Sequence, residues 1–489
     1  MDSVALKLLI TGFIGIWVWR AFRAKHERPS LRSAAILVLG DVGRSPRMMY
    51  HAESFADNGF ETFIIGNKGS KPVPSLLSIP HVRFLYLPNS PRPIPRLPFV
   101  VTAPQKVIHQ VFSILHALLV RIPHPPEFII VQNPPSIPTL ALVWFVSWVR
   151  GSKVIIDWHN LGYSILALKL GETHPLVKIA KWFESYFGRV AYAHLFVTNA
   201  MHDHLSAEWN LQGHKIVLHD RPPAHFHRCS PNEMHELFQR LQASLFIPSL
   251  QKFLPESNPP YSTPFTSIPA QSIDPNPALR PDRPALLVSS TSWTPDEDFS
   301  ILLQALQIYE VKAREADGKL PKVLMVVTGK GPEREMYMKQ IEALQSGEDK
   351  WTWVRCVSMW LEPEDYPLLL GSADLGISLH SSSSALDLPM KVVDMFGCGL
   401  PVCALNFACL DELVKDGVNG LVFDNAEQLS AQLESLLTSF PKSPTLRSLR
   451  DNFDHESGEV QWQWSSWQEN WNHVMRPLIL SDVRAESQL

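Results

Sequence analysis

What most constrains this chain of 489 residues is an alternation that occurs twice: short runs of β-branched and aliphatic residues, separated by stretches with helical periodicity. Parallel strands need a long crossover, usually a helix, so this alternation specifies parallel α/β sheets. In the first half, Ala34–Gly40, Thr62–Gly66, Phe128–Val131, Lys153–Asp157 and Leu195–Thr198 read as buried strands. In the second, Ala285–Ser290, Val323–Thr328, Leu375–Leu379 and Pro401–Ala404 do, with helices expected near Phe299–Ala313, Pro332–Leu344, Leu388–Gly397 and Ala426–Thr438. Ser45-Pro46 signals a helix start, Ser as N-cap and Pro in the first turn. Between the halves, prolines crowd from Phe246 to Pro284 with little periodicity, which reads as a linker outside the core. The sequence therefore predicts an N-terminal domain over 33–220, a linker with a Pro-rich insertion over 221–284, a second domain over 285–458, and a C-terminal helix and tail over 459–489.

The N-terminus adds another element. Val4 to Trp19 is almost wholly apolar, and Arg20, Arg23, Lys25 and Arg28 follow it. A signal peptide has its basic residues ahead of the apolar run, so this order predicts an uncleaved transmembrane anchor over 1–22, with the rest of the chain cytosolic. Two further apolar segments, Phe99–Ile122 and Pro138–Val149, fit either core helices or helices lying on a bilayer surface. A net charge of -4 excludes broad electrostatic binding to nucleic acid. The five cysteines show no metal-ligand spacing.

Four segments carry candidate chemistry. The longest runs from Leu386-Asp387-Leu388-Pro389-Met390-Lys391 through Asp394 to Gly397-Cys398-Gly399, after a serine run beginning at Ser381. A helix starting near Leu388 presents unpaired N–H groups to a diphosphate, and Asp394, about two turns on, suits two ribose hydroxyls. Gly329-Lys330-Gly331-Pro332 is a glycine turn between strand and helix, with Lys330 available to phosphate. Leu39-Gly40-Asp41-Val42-Gly43-Arg44-Ser45-Pro46-Arg47 follows the first strand; with only two glycines it lacks the dinucleotide fingerprint. Asp157-Trp158-His159-Asn160 follows a buried strand, where α/β sheets place ligands, and His159 reads equally as a base, a sugar contact or a structural histidine. Asp296-Glu297-Asp298 has the Asp-x-Asp spacing of a metal site, but Thr294-Pro295 ahead of it argues for a helix N-terminus; no metal site is expected.

The segment around Asp394 resembles the nucleotide-sugar signature of GT-B glycosyltransferases. Where retaining members carry a glutamate, this chain has Leu386, which favours an inverting relative. Together with Gly40–Arg47, Asp157–Ser164 and Ser289–Asp298, the motifs closely resemble the eukaryotic chitobiosyldiphosphodolichol beta-mannosyltransferase family, from the anchor to about Phe423. The resemblance implies a GT-B fold of two Rossmann-like domains facing a cleft, anchored by the N-terminal helix in the endoplasmic reticulum membrane. It implies inverting transfer of mannose from GDP-mannose to dolichol-linked chitobiose, with no cofactor; a divalent cation is compatible but not essential. It leaves room for complexes with itself and other cytosolic-face mannosyltransferases. The site residues expected from it are Lys330, Ser381, Asp387, Leu388, Lys391 and Asp394 for the donor, and Gly40, Gly43, Arg44 and Arg47 for the acceptor. Asp41 is the expected base, with His159 as donor-side helper.

Overall fold

The computed structural model describes residue 15 and residues 31–89, 99–223, 225–269, 276–294, 297–316, 318–346, 350–381, 386–453 and 466–486. The chain forms two compact units, one of residues 1–219 with 470–489, the other of 220–469. Apart from residue 15, the anchor expected over 1–22 lies outside the described residues. Among the described residues, no helix is long and apolar enough to cross a membrane.

The first unit is built on seven parallel strands: β1 (Arg32–Asp41), β2 (Phe60–Asn67), β3 (Val82–Leu87), β4 (Phe128–Asn133), β5 (Lys153–Trp158), β6 (Val190–Phe196) and β7 (Gln212–Val217). Their order is β3-β2-β1-β4-β5-β6-β7. Consecutive apolar residues of β1, Ala34 through Leu37, are all fully buried, because helices cover both faces of a parallel sheet. The C-terminal helix Trp467–Glu486 brings Trp471, Met475 and Ile479 into this core. Trp471 packs edge-on against Phe55 at 5.3 Å between ring centroids.

The second unit begins with the helix Pro231–Arg240, whose start is a capping box of Ser230 and Glu233. A small antiparallel pair follows, β8 (Thr266–Ser267) with β9 (Ala278–Leu279). The Pro-rich stretch expected as a linker is therefore part of this unit: Leu250, Phe253 and Phe265 are buried, and the Phe265 ring lies 4.2 Å from that of Phe238. Apolar residues spaced between prolines found a core here without any period to announce them.

A six-stranded parallel sheet completes the second unit: β10 (Ala285–Ser290), β11 (Val323–Thr328), β12 (Val354–Met359), β13 (Leu375–Ser378), β14 (Val402–Leu405) and β15 (Gly420–Phe423). The order, β12-β11-β10-β13-β14-β15, repeats the doubly wound pattern of the first. In each sheet the direction of winding reverses beside the first strand, between β1 and β4 and between β10 and β13. Ligands of open α/β sheets bind beyond the carboxyl ends of the strands at such a switch point.

Candidate active site

At the carboxyl end of β1, Asp41 closes a tight turn. Its carboxylate accepts from the Gly43 amide at 3.1 Å, and from the Ser70 amide and hydroxyl, each 2.8 Å from Oδ2. Burial is the largest single influence and raises its pKa, but the bonds from Ser70 and Gly43 and the Arg44 charge together outweigh it and hold the carboxyl below the ordinary value. A Cβ on Gly43 would collide with the Ser70 carbonyl, so glycine lets the two loops touch. Gly40 has open space around it. Arg44 is exposed and reaches the Ser70 hydroxyl at 3.3 Å. Asp41 is thus the brace of this loop.

Arg47, expected to face an acceptor, points inward instead. It sits on the first turn of the helix Pro46–Asp57 and is 3% exposed. Its Nε and Nη2 donate to the two carboxylate oxygens of Asp157 at 2.8 and 2.9 Å, and Nη1 donates to the Leu218 carbonyl at 2.9 Å. Asp157, at the end of β5, is fully buried. Burial alone would raise its pKa; the Arg47 charge and the bonds from His159 and His51 overcome this and drive it well below normal. Removing one partner from such a pair costs about 3–5 kcal/mol.

His159 lies two residues beyond Asp157, on the same side of the strand end. Its Nε2 is 2.8 Å from Asp157 Oδ2, and its side chain is 21% exposed. The His159 loop is held from below by Glu184, a fully buried carboxylate. Glu184 accepts from Asn133 at 2.5 Å and from the amides of Gly162 and Tyr163.

The second unit's edge is organised differently. Trp293, in the loop after β10, holds a φ of +50, a strained value for a residue with a side chain, at a cost of order 1–3 kcal/mol. Its indole donates to the Gly329 carbonyl at 3.3 Å. Gly329 itself has a φ of +124, and a Cβ there would strike the Thr291 carbonyl. The glycine turn after β11 therefore lies directly on the loop after β10. Lys330 stands exposed on that turn, its Nζ 3.7 Å from the ring centroid of Trp360.

The helix predicted from Leu388 begins at Met390 and runs to Gly397, with no side-chain cap at its start. Lys391, in its first turn, is 2.5 Å from Glu297 and 3.4 Å from the Ser292 hydroxyl. Glu297 is 4% exposed and accepts from the Ser292 amide at 2.7 Å and from the Thr291 hydroxyl. Asp298 caps the helix Phe299–Glu315 through the Ser300 amide, as the reading of a helix start requires; Asp296 lies outside the described residues. Ser381, Asp387 and Leu388 lie between β13 and the Lys391 helix; of these, Leu388 is buried. Asp394 is partly buried, and loss of water together with the nearby Asp220 charge pushes its pKa up to about 8, against the pull of the Tyr366 hydroxyl. Tyr366 is also 3.1 Å from the Ser290 hydroxyl.

Asp157, His51, Trp471 and Tyr366 carry no expected role in the sequence, and Glu297 carries only that of a helix-start acid. A signal existed for two of them: Asp157 precedes His159 by two residues on a strand, and His51 follows Arg47 by four on a helix, spacings that share a face. Trp471, more than three hundred residues beyond Asp157, gave none.

The chain matches the family of glycosyl transferases group 1 over residues 283–439 and the glycosyl transferase 4-like domain over 43–220. Among solved structures, it is similar to Anabaena HepE in complex with UDP and glucose, with a TM-score of 0.55 and 14% identity over 94% of this chain and all of that one. WaaG, a glycosyltransferase involved in lipopolysaccharide biosynthesis, gives a TM-score of 0.52 and 14% identity over 90% of this chain and 99% of that one. Fold and family domains thus define a glycosyltransferase of the GT-B class.

A mouse chitobiosyldiphosphodolichol beta-mannosyltransferase is 44% identical, covering 96% of this chain and 93% of its own length. The human protein of that name is 44% identical over 97% of each chain. An Arabidopsis relative named UDP-glycosyltransferase TURAN is 42% identical over 92% of this chain and 97% of its own. The chain belongs to the chitobiosyldiphosphodolichol beta-mannosyltransferase family.

Proposed function

We propose that the chain transfers mannose from GDP-mannose to the outer GlcNAc of dolichol-linked chitobiose, with inversion, at the cytosolic face of the endoplasmic reticulum membrane. The observation that carries this reading is 44% identity along 96% of the chain to a mouse relative bearing the corresponding name. In the proposed step a base takes the proton of the acceptor hydroxyl as its oxygen attacks the anomeric carbon. The bond from that carbon to the diphosphate breaks, and its electron pair leaves with GDP. Lys391, Lys330 and the uncapped start of the helix Met390–Gly397 supply positive charge suited to that leaving group.

Of the two candidate bases, His159 suits the role better. The Asp41 carboxylate is occupied by Gly43 and Ser70, whereas His159 is backed by a carboxylate and partly open to solvent. Gly40, Gly43 and Arg44 remain the proposed acceptor-side loop; Ser381, Asp387 and Leu388 flank the proposed donor site. Association with a bilayer is supported by the helices Phe99–His116 and Thr139–Arg150, which expose Phe112, Trp144 and Trp148, the last at 76%.

The name of the Arabidopsis relative makes a UDP-sugar the rival donor. Purified protein with a short-chain chitobiosyl diphosphate lipid, given GDP-mannose or UDP-glucose, decides between them. A beta-linked mannosyl product formed from GDP-mannose, with substantial rate retained in EDTA, is expected. Turnover of UDP-glucose alone, or an alpha-linked product, overturns the reading.

A further inference from the structure

We infer that Asp157, set in place by Arg47, His51 and Trp471 of the C-terminal helix, is the positioning residue that fixes the tautomer of His159 and leaves its Nδ1 as the proton acceptor. The inference rests on the reading of His159 as base and goes beyond it to what makes that side chain competent.

The assignment follows from counting protons. An indole N–H only donates, and the Trp471 Nε1 lies 3.0 Å from His51 Nδ1. His51 Nδ1 is therefore the acceptor, and in the neutral ring the proton sits on Nε2, which points at Asp157 Oδ2 from 3.2 Å. Burial keeps His51 neutral against the attraction of Asp157. Asp157, paired with the Arg47 guanidinium, is an ionised acceptor with no proton to give. His159 Nε2, 2.8 Å from that same oxygen, must then carry a hydrogen. Its Nδ1 is left with a lone pair, and no described residue bonds to it. The charge on Asp157 also stabilises the imidazolium that forms once Nδ1 takes a proton, as in carboxylate–histidine pairs generally. Arg47 and Asp157 already balance one another, so their pair adds no net charge to the buried cluster.

Two substitutions and one spectrum test this. Asp157→Asn keeps the shape and removes the charge that holds the His159 proton on Nε2 and stabilises its imidazolium. We expect kcat to fall roughly 10³- to 10⁴-fold with GDP-mannose affinity unchanged. Trp471→Phe keeps a packed ring and removes only the indole donor, so His51 is released from its tautomer; a loss of about tenfold in kcat is expected. Histidine ¹⁵N spectra of wild-type protein at neutral pH should show His159 protonated on Nε2. Folded Asp157→Asn with kcat within about threefold of wild type overturns the inference. So does a wild-type His159 protonated on Nδ1, a result that stands even if Asp157→Asn fails to fold. Failure of the wild-type protein to use GDP-mannose would instead sink the substrate reading, and the tautomer would still decide the positioning.

Discussion

The two units share a sheet order and differ in what they place at its edge. At the first, a single buried carboxylate, Asp157, gathers Arg47, His51 and His159. At the second, Lys330 stands exposed on a turn held by tightly packed glycines and a strained Trp293, and Lys391, at a helix start, is paired with the buried Glu297. One edge fixes a titratable ring against a charge that never meets solvent. The other presents positive charge and open backbone donors to whatever arrives. The same scaffold thus supports two electrostatic tasks, because the sheet specifies where strand ends lie and not which residues occupy them.

The largest effect should come from breaking the first edge at its base. Arg47→Met leaves Asp157 buried without its counter-charge, a loss of about 3–5 kcal/mol that thermal or denaturant unfolding would register. A comparable substitution at the exposed Lys330 should leave stability within about 0.5 kcal/mol. Equal destabilisation by both would erase the contrast between buried and exposed charge.

An intermediate effect is expected from pH at the second edge. With its pKa pushed up to about 8, Asp394 keeps its proton at pH 7 and loses it by pH 9. In the proposed ribose contact the carboxylate is the form that accepts two hydroxyls, so binding would favour ionisation and GDP affinity should rise with pH across this window. About tenfold between pH 7 and 9 is expected, and Asp394→Asn should flatten the curve. Titration calorimetry measures it; affinity that falls over that range would reverse the assignment.

The smallest effect concerns the exposed helices of the first unit. Trp144→Ser with Trp148→Ser should weaken vesicle sedimentation severalfold, by lost apolar burial, with GDP affinity untouched. Undiminished sedimentation in protein lacking residues 1–30 would show that these rings face something other than lipid.

How much of this was legible in the sequence follows the same contrast. The central strands were readable because both faces are buried: the sequence predicts Ala285–Ser290 and Val323–Thr328, and the strands run over those residues. The parallel strands it missed, β3, β7, β12 and β15, are the outermost of their sheets. In β7 polar residues interrupt the apolar run: it reads Gln212-Gly213-His214-Lys215-Ile216-Val217, mostly exposed. At the sites, local spacing revealed the helix start near Lys391 and the glycine turn at Lys330. Arg47 was misplaced because its sequence neighbours are polar loop residues, while its partner Asp157 lies 110 residues away. Glu297 likewise looked like one of three helix-start acids until Lys391, from a distant segment, was found against it.

We propose that the first edge performs proton transfer and the second holds the donor. This is tested most directly by measuring GDP-mannose affinity and single-turnover rate side by side in folded His159→Ala and Asp394→Ala. His159→Ala should bind donor as the wild type does while its rate falls roughly 10²- to 10⁴-fold. Asp394→Ala should instead lose roughly ten- to a hundredfold in affinity. Weakened donor binding in His159→Ala with a near-normal rate at saturation would contradict it.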